Sequence, residues 1–223
     1  MMLAAMTFVA LSAFAAPGAV PVIYTTDLYH PHNDPDDHYD LMTLYAIPEF
    51  DLRAIVIDMG EAGKGRPGTV ALEQMAALTG RTIPYATGLI ANLQSLEDPA
   101  TTAPEAEQAG VRLLLDTLRA ATQPVTVITA GSLRDVAAAY NREPALFREK
   151  VAHLYVNAGW MGTTQEWNVG LDIHAYVRTL ESDLPVYWAP CFGEDRYQTY
   201  WKFRQGDLLA DQRPPIQNFF LYM

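Results

Sequence analysis

Residues 21–58 read PVIYTTDLYHPHNDPDDHYDLMTLYAIPEFDLRAIVID. The first six, PVIYTT, are β-branched and aromatic and predict a strand. Residues 37–47 then carry Leu41, Met42, Leu44, Tyr45 and Ile47 on one helical face after a polar start. LRAIVID (52–58) is a near-continuous apolar run. Such a run suits a central parallel strand covered on both faces. Strand, helix and buried strand in this order make a β-α-β unit.

The same alternation continues down the chain. GTVALEQMAALTG (68–80) predicts a helix closed by Gly80, and IPYATG a short strand. APEAEQAGVRLLLDTLRAA (103–121) predicts a long amphipathic helix. PVTVITAG (124–131) is a strand, followed by a helix with Ser132 at its N-cap. VAHLYVNAG (151–159), DIHAYVRTLES (172–182) and LPVYWAP predict strand, helix and strand; after residue 190 the pattern weakens. The expected fold class is α/β: an open, mostly parallel sheet with helices on both faces. Ligands in such folds bind beyond the C-terminal strand ends. Three polar clusters fall there: Asp27 to Asp37, Thr129 to Ser132, and Asn157 to Asn168.

Bulk composition narrows the function classes. With 223 residues, half of them hydrophobic, one domain is expected over residues 20–223. A net charge of −11 argues against a nucleic-acid surface, which needs clustered Lys and Arg, but not against a small nucleoside ligand. One cysteine, Cys191, excludes an internal disulfide and argues against a Cys-based zinc site. Residues 1–20 are apolar and uncharged, too short and Ala-rich for a membrane span. Residues 1–19 are expected to form a signal peptide, with Ala13-Phe14-Ala15 as a small-x-small cleavage site, so the mature protein is expected to be secreted or periplasmic.

Four aspartates and three histidines lie between Asp27 and His38. Aspartates this close at a strand end can converge on one cation, and Ca²⁺ accepts six to eight oxygen ligands in irregular geometry. The first-turn aspartates of the following helix would also sit at its positive end. A mixed site with His30 and His32 would instead suit a transition metal. The plain alternative is a solvated acidic turn. Asp27 and Asp34 both remain open as the first ligand, Asp34 being nearer the Asp36-Asp37 pair.

Taken together, these segments resemble the inosine/uridine-preferring nucleoside hydrolases. That family opens with a strand ending in Asp-x-Asp and an Asp-Asp pair starting a helix; here Asp27 ends the strand and Asp36-Asp37 is the pair. VTVITAGSLRDVAAAY is similar to its strand followed by Gly-Pro-Leu-Thr-Asn, LYVNAG to its Met-Gly-Gly strand end, and QEWNVGLDIHAY to its Glu-Phe-Asn and Asp-Pro-Glu-Ala-Ala. The resemblance spans about residues 21–190 and implies a Rossmann-like fold of nucleoside-hydrolase type. It implies a Ca²⁺ ion held by Asp27, Asp37 and the backbone carbonyl of Ala130. It further implies water activation by Asp27, and ribose hydroxyls held by Asp36, Glu166 and Asn168. The expected reaction is hydrolysis of the N-glycosidic bond of a ribonucleoside or related ribosyl compound.

Several departures from the pattern are visible. The segment between Asp27 and Asp36 is longer than the family's, IVIDMGEAG lacks the Asn placed after its second strand, and no His-Asp dipeptide follows residue 174. The chain is expected to break off inside a helix at PPIQNFFLYM, before the family's late His-Asp pair. A non-catalytic sugar or nucleoside binder and a transition-metal His/Asp hydrolase are the alternative functions. A small ribosyl substrate is the expected partner, and a homo-oligomer is compatible with the sequence.

Overall fold

The computed structural model describes residues 18–31, 35–162, 165–193 and 197–221. The chain opens with β1 (Val20–Thr26), α1 (Asp36–Ala46) and β2 (Phe50–Ile57). A short α2 (Gly60–Gly63), α3 (Thr69–Thr79) and β3 (Tyr85–Thr87) follow. A 3₁₀ turn (Glu105–Gln108) leads into α4 (Ala109–Ala120) and β4 (Val125–Ala130). Next come α5 (Arg134–Arg142), α6 (Pro144–Lys150), β5 (Val151–Asn157), α7 (Trp167–Leu171) and α8 (Ile173–Leu180). β6 (Val186–Trp188), α9 (Gln205–Leu209) and α10 (Pro214–Leu221) complete the order.

The strands form one six-stranded sheet in the order β3-β2-β1-β4-β5-β6, and every pairing is parallel. The α/β expectation therefore holds, and each of the six expected strands is present. The order reverses between β1 and β4, the switch point where doubly wound folds place their ligands. Register sharpens this: Thr26 faces Ile57 on one side and Ala130 on the other, and Ala130 faces Asn157. Four strands thus end on one line, and the residues just past it share one layer.

Helices cover both faces of β1 and β2. Ile23, Ala54 and Val56 pack with α4, α5 and α8 on one face; Val22, Tyr24, Ile55 and Ile57 pack with α1, α3 and α10 on the other. Burial of apolar side chains on both faces explains the unbroken apolar run of β2. Leu41, Leu44 and Tyr45 are the buried face of α1, as its spacing predicts. Gly80 closes α3 with φ 69°, a left-handed conformation open to glycine.

Three local details differ from expectation. The 103–121 helix begins irregularly, with the 3₁₀ turn at 105–108. Leu133, not Ser132, occupies the N-cap position of α5, because the Ser132 hydroxyl is turned to donate to Asp58 Oδ1 at 2.8 Å. The helix expected over 172–182 runs only from Ile173 to Leu180, with Asp172 as the N-cap that accepts from Ala175 N–H.

Candidate functional site

The site grows from the end of β1. Asp27 is the first residue past that strand, and its N–H donates to the Ala130 carbonyl at 3.0 Å, which stitches β1 to β4 at the switch point. Asp36 and Asp37 open α1, so their carboxylates lie at its positive end. Asp36 Oδ1 accepts from the Asp37 N–H at 3.0 Å. Asp37 is only 9% exposed. Its Oδ1 accepts from the Tyr24 hydroxyl at 3.3 Å and from the Thr26 hydroxyl, so β1 orients it through two side chains of one face.

Burial and neighbouring charge shift both carboxyls at this point. Burial, then the charge of Asp58, pushes the Asp27 carboxyl up to about 6, while hydrogen bonding with Asp37 and Trp167 acts the other way. Burial, then the charges of Asp27 and Asp36, holds Asp37 well above the usual carboxylate range. A half-buried carboxyl raised by Asp58 beside a buried one raised by Asp27 and Asp36 is an arrangement that a bound cation would relieve. The donors are all oxygens: two carboxylates and the Ala130 carbonyl, which suits a hard cation. Among the described residues no group of three or more His, Cys, Asp or Glu is gathered for a metal. His32 and Asp34 lie outside the described residues, and His30 does not line the cleft.

Across the cleft stands α7. Glu166 is its N-cap, and its carboxylate accepts from the N–H groups of Gly159 (2.8 Å), Asn168 (3.0 Å) and Val169 (3.1 Å). Asn168 Nδ2 donates to the Asn157 carbonyl at 2.9 Å. Both residues are thereby locked in place. The cleft between the two halves measures about 350 Å³ and is lined by Asp27, Asp36, Asp37, Ala130, Glu166 and Asn168 together. The described residues to which the family resemblance gives a role thus meet in one concavity of ligand size, and His30 is not among its lining residues.

Sequence reasoning marked Asn157 and His38 only as members of polar clusters and missed the aromatic lining. Asn157, Trp167, Tyr197 and Tyr200 face the same cleft, with Tyr29, His38 and Cys191. Trp167 is 61% exposed, a large apolar surface at a cleft mouth. The Tyr200 hydroxyl approaches Cys191 Sγ at 3.2 Å and Asn157 Oδ1 at 3.5 Å. Tyr197 and Tyr200 lie past residue 190, where no periodic signal marks them. Asp58, directly after β2, was also legible in principle: it ends LRAIVID in the register of Asp27.

Comparison with known proteins agrees with this geometry. Residues 22–219 match the model of the inosine-uridine preferring nucleoside hydrolase family. The chain is 29% identical over 192 residues to the pyrimidine-specific ribonucleoside hydrolase RihA of Salmonella schwarzengrund, covering 77% of this chain and 60% of that protein. The RihA of Citrobacter koseri gives the same identity and coverage. The chain therefore spans 60% of the length of these curated relatives. Among solved structures, the inosine-uridine preferring nucleoside hydrolase of Bacillus anthracis shares the fold with a TM-score of 0.61 at 18% identity, over 76% of this chain and 64% of that one. On the family match, the strand order and the meeting of both acidic motifs in one cleft, this chain belongs to the inosine-uridine preferring nucleoside hydrolase family.

Proposed function

We propose that the chain carries the site of an N-ribosyl hydrolase, which cleaves the N-glycosidic bond of a ribonucleoside with water and the help of Ca²⁺. The family is metal-dependent. The observation that carries the proposal is the pair of half-buried Asp27 and buried Asp37 at the end of β1, facing Glu166 and Asn168 across one cleft. Asp27, Asp37 and the Ala130 carbonyl would hold the ion. A hard cation there supplies positive charge that eases deprotonation of water and steadies the two carboxylates. Asp27 accepts the proton of the attacking water. Asp36, Glu166 and Asn168 hold the ribose hydroxyls, which places C1′ toward that water and stabilises charge developing on the sugar. The three amides that fix Glu166 leave one of a carboxylate's roughly four acceptor positions for a hydroxyl.

Pyrimidine ribonucleosides come first in the test, since the curated relatives are named for them. Purified protein with CaCl₂ is expected to release free base from at least one member of a pyrimidine and purine panel, and EDTA is expected to stop it. Absence of release from every nucleoside by calcium-loaded protein would overturn the reading. Binding by calorimetry without product would favour the non-catalytic binder. Stoichiometric zinc in place of calcium by elemental analysis would favour the transition-metal reading. The proposal also sets the mature protein outside the cytoplasm, resting on the apolar residues 1–20; N-terminal sequencing of exported protein checks it.

A further inference from the structure

One buried cation lies in the layer beneath the cleft. Arg134 opens α5 and is 1% exposed. Its Nη1 donates to Asp58 Oδ1 at 3.0 Å and to the Leu89 carbonyl at 3.2 Å. Nη2 donates to Asn92 Oδ1 at 3.1 Å and to the Leu171 carbonyl at 2.8 Å, and Nε donates to Asp172 Oδ2 at 3.2 Å. A guanidinium has five N–H donors in a rigid fork, and here five acceptors meet it.

The acceptors come from three separate segments: the end of β2, the loop after β3, and the α7–α8 junction. Each is fixed in turn. Asp58 also accepts from the Ser132 N–H and hydroxyl at 2.9 and 2.8 Å, and Asp172 from the Leu93 N–H at 2.8 Å. Gly60 makes the space: a Cβ there would lie 3.1 Å from Arg134 Nη1, and its φ of 49° disfavours side chains. Arg134 stands where the family pattern has the Thr of Gly-Pro-Leu-Thr-Asn. A buried ion network is a weak source of stability compared with apolar packing, so its geometry calls for another role.

We propose that Arg134 is a positioning residue: it fixes α7, with Glu166 and Asn168, against the strand ends that carry Asp27 and Asp58. The kinetic part of its test rests on the nucleosidase reading; the exchange part does not. Lysine keeps the charge but places three donors on one nitrogen, and cannot span three segments. Arg134→Lys is therefore expected to fold and to keep its calcium-induced thermal shift. Amide exchange over residues 166–171 is expected to rise about tenfold or more, with β1 and β4 unchanged. KM should rise on the order of tenfold, with kcat altered less than about threefold. Wild-type exchange in α7, or an equal rise in α7, β1 and β4, would overturn the proposal, the second because it marks plain destabilisation. Should Arg134→Lys fail to fold, Asn92→Ala removes one acceptor and leaves both ion pairs. The same pattern is then expected at about threefold, and unchanged α7 exchange would again overturn it. A wild type without turnover would sink the nucleosidase reading alone, because the exchange comparison still decides what Arg134 does.

Discussion

Asp135, beside Arg134, is a carboxyl whose surroundings favour its neutral form. Its Oδ1 accepts from the Leu89 N–H at 3.2 Å, and its Oδ2 is buried with no hydrogen-bond partner. Burial, then the charge of Asp58, pushes it up to about 7, against relief from Arg134 and Arg142. The folded chain then holds a proton that the unfolded chain has released above about pH 4. The resulting stability is present below that pH and is lost as pH rises toward 7. Asp135→Asn should flatten part of this slope and stabilise the fold at pH 8 by on the order of 2 kcal/mol. Urea unfolding at pH 4.5, 6 and 8 checks it, and an unchanged slope would refute it; Asp27, at about 6, contributes to the same window. Asp37 gives the complementary case. Asp37→Asn keeps an acceptor for Tyr24 and Thr26 but removes a charge crowded by Asp27 and Asp36. Its metal-free melting temperature should match or exceed the wild type, calcium should no longer raise it, and turnover should fall about a hundredfold or more.

At the scale of elements, α4 is the helix most tightly seated on the sheet. A Cβ at Gly110 would lie 2.8 Å from Gly88 Cα and 2.9 Å from Val56 Cγ1, so Gly110→Ala must lift the helix or shift the backbone beneath it. A loss of roughly 1–3 kcal/mol is expected by denaturant unfolding. The long elements were readable in advance because their periodicity has room to show. β2 is an unbroken apolar run, and α1 and α4 bury one stripe each. The five-residue α7 and α9 and the four-residue α2 were not, because one turn carries no period. The site divides the same way. Asp27, Asp37, Glu166 and Asn168 were legible from the order of their motifs. Arg134 was not: an arginine in a helix's first turn reads as solvent-facing, and its partners Asp58 and Asp172 lie 76 and 38 residues away. Nothing local marks such a contact. The uncovered face of β5 and β6, where Tyr155 and Tyr187 sit exposed with ring centroids 5.1 Å apart, was equally invisible, since a parallel strand is expected to be covered on both faces.

For the molecule as a whole, a cation held at the acidic pair would couple metal binding to folding. An ion that binds only the native state stabilises it by about 2.7 kcal/mol at a hundredfold excess over its Kd. For a chain of this size that is roughly 5–10 °C in melting temperature. Calcium is expected to give such a shift, EDTA to reverse it, and a flat response would count against any cation at this site. Among the described residues no helix is long and apolar enough to cross a membrane. The strand order has a kinetic consequence. β1 is flanked by β2, its neighbour in sequence, and by β4, whose Thr126 pairs with Val22. Closing that loop of about a hundred residues is entropically slow. As the chain leaves the ribosome, β1, β2 and β3 can assemble first and leave one edge of β1 unpaired. Until residues 125–134 arrive, Asp27 lacks the Ala130 carbonyl and Asp58 lacks its arginine. Pulsed hydrogen exchange during refolding should therefore find β1–β2 amides protected before those of β4 and β5, with the acidic cleft among the last parts of the molecule to take shape.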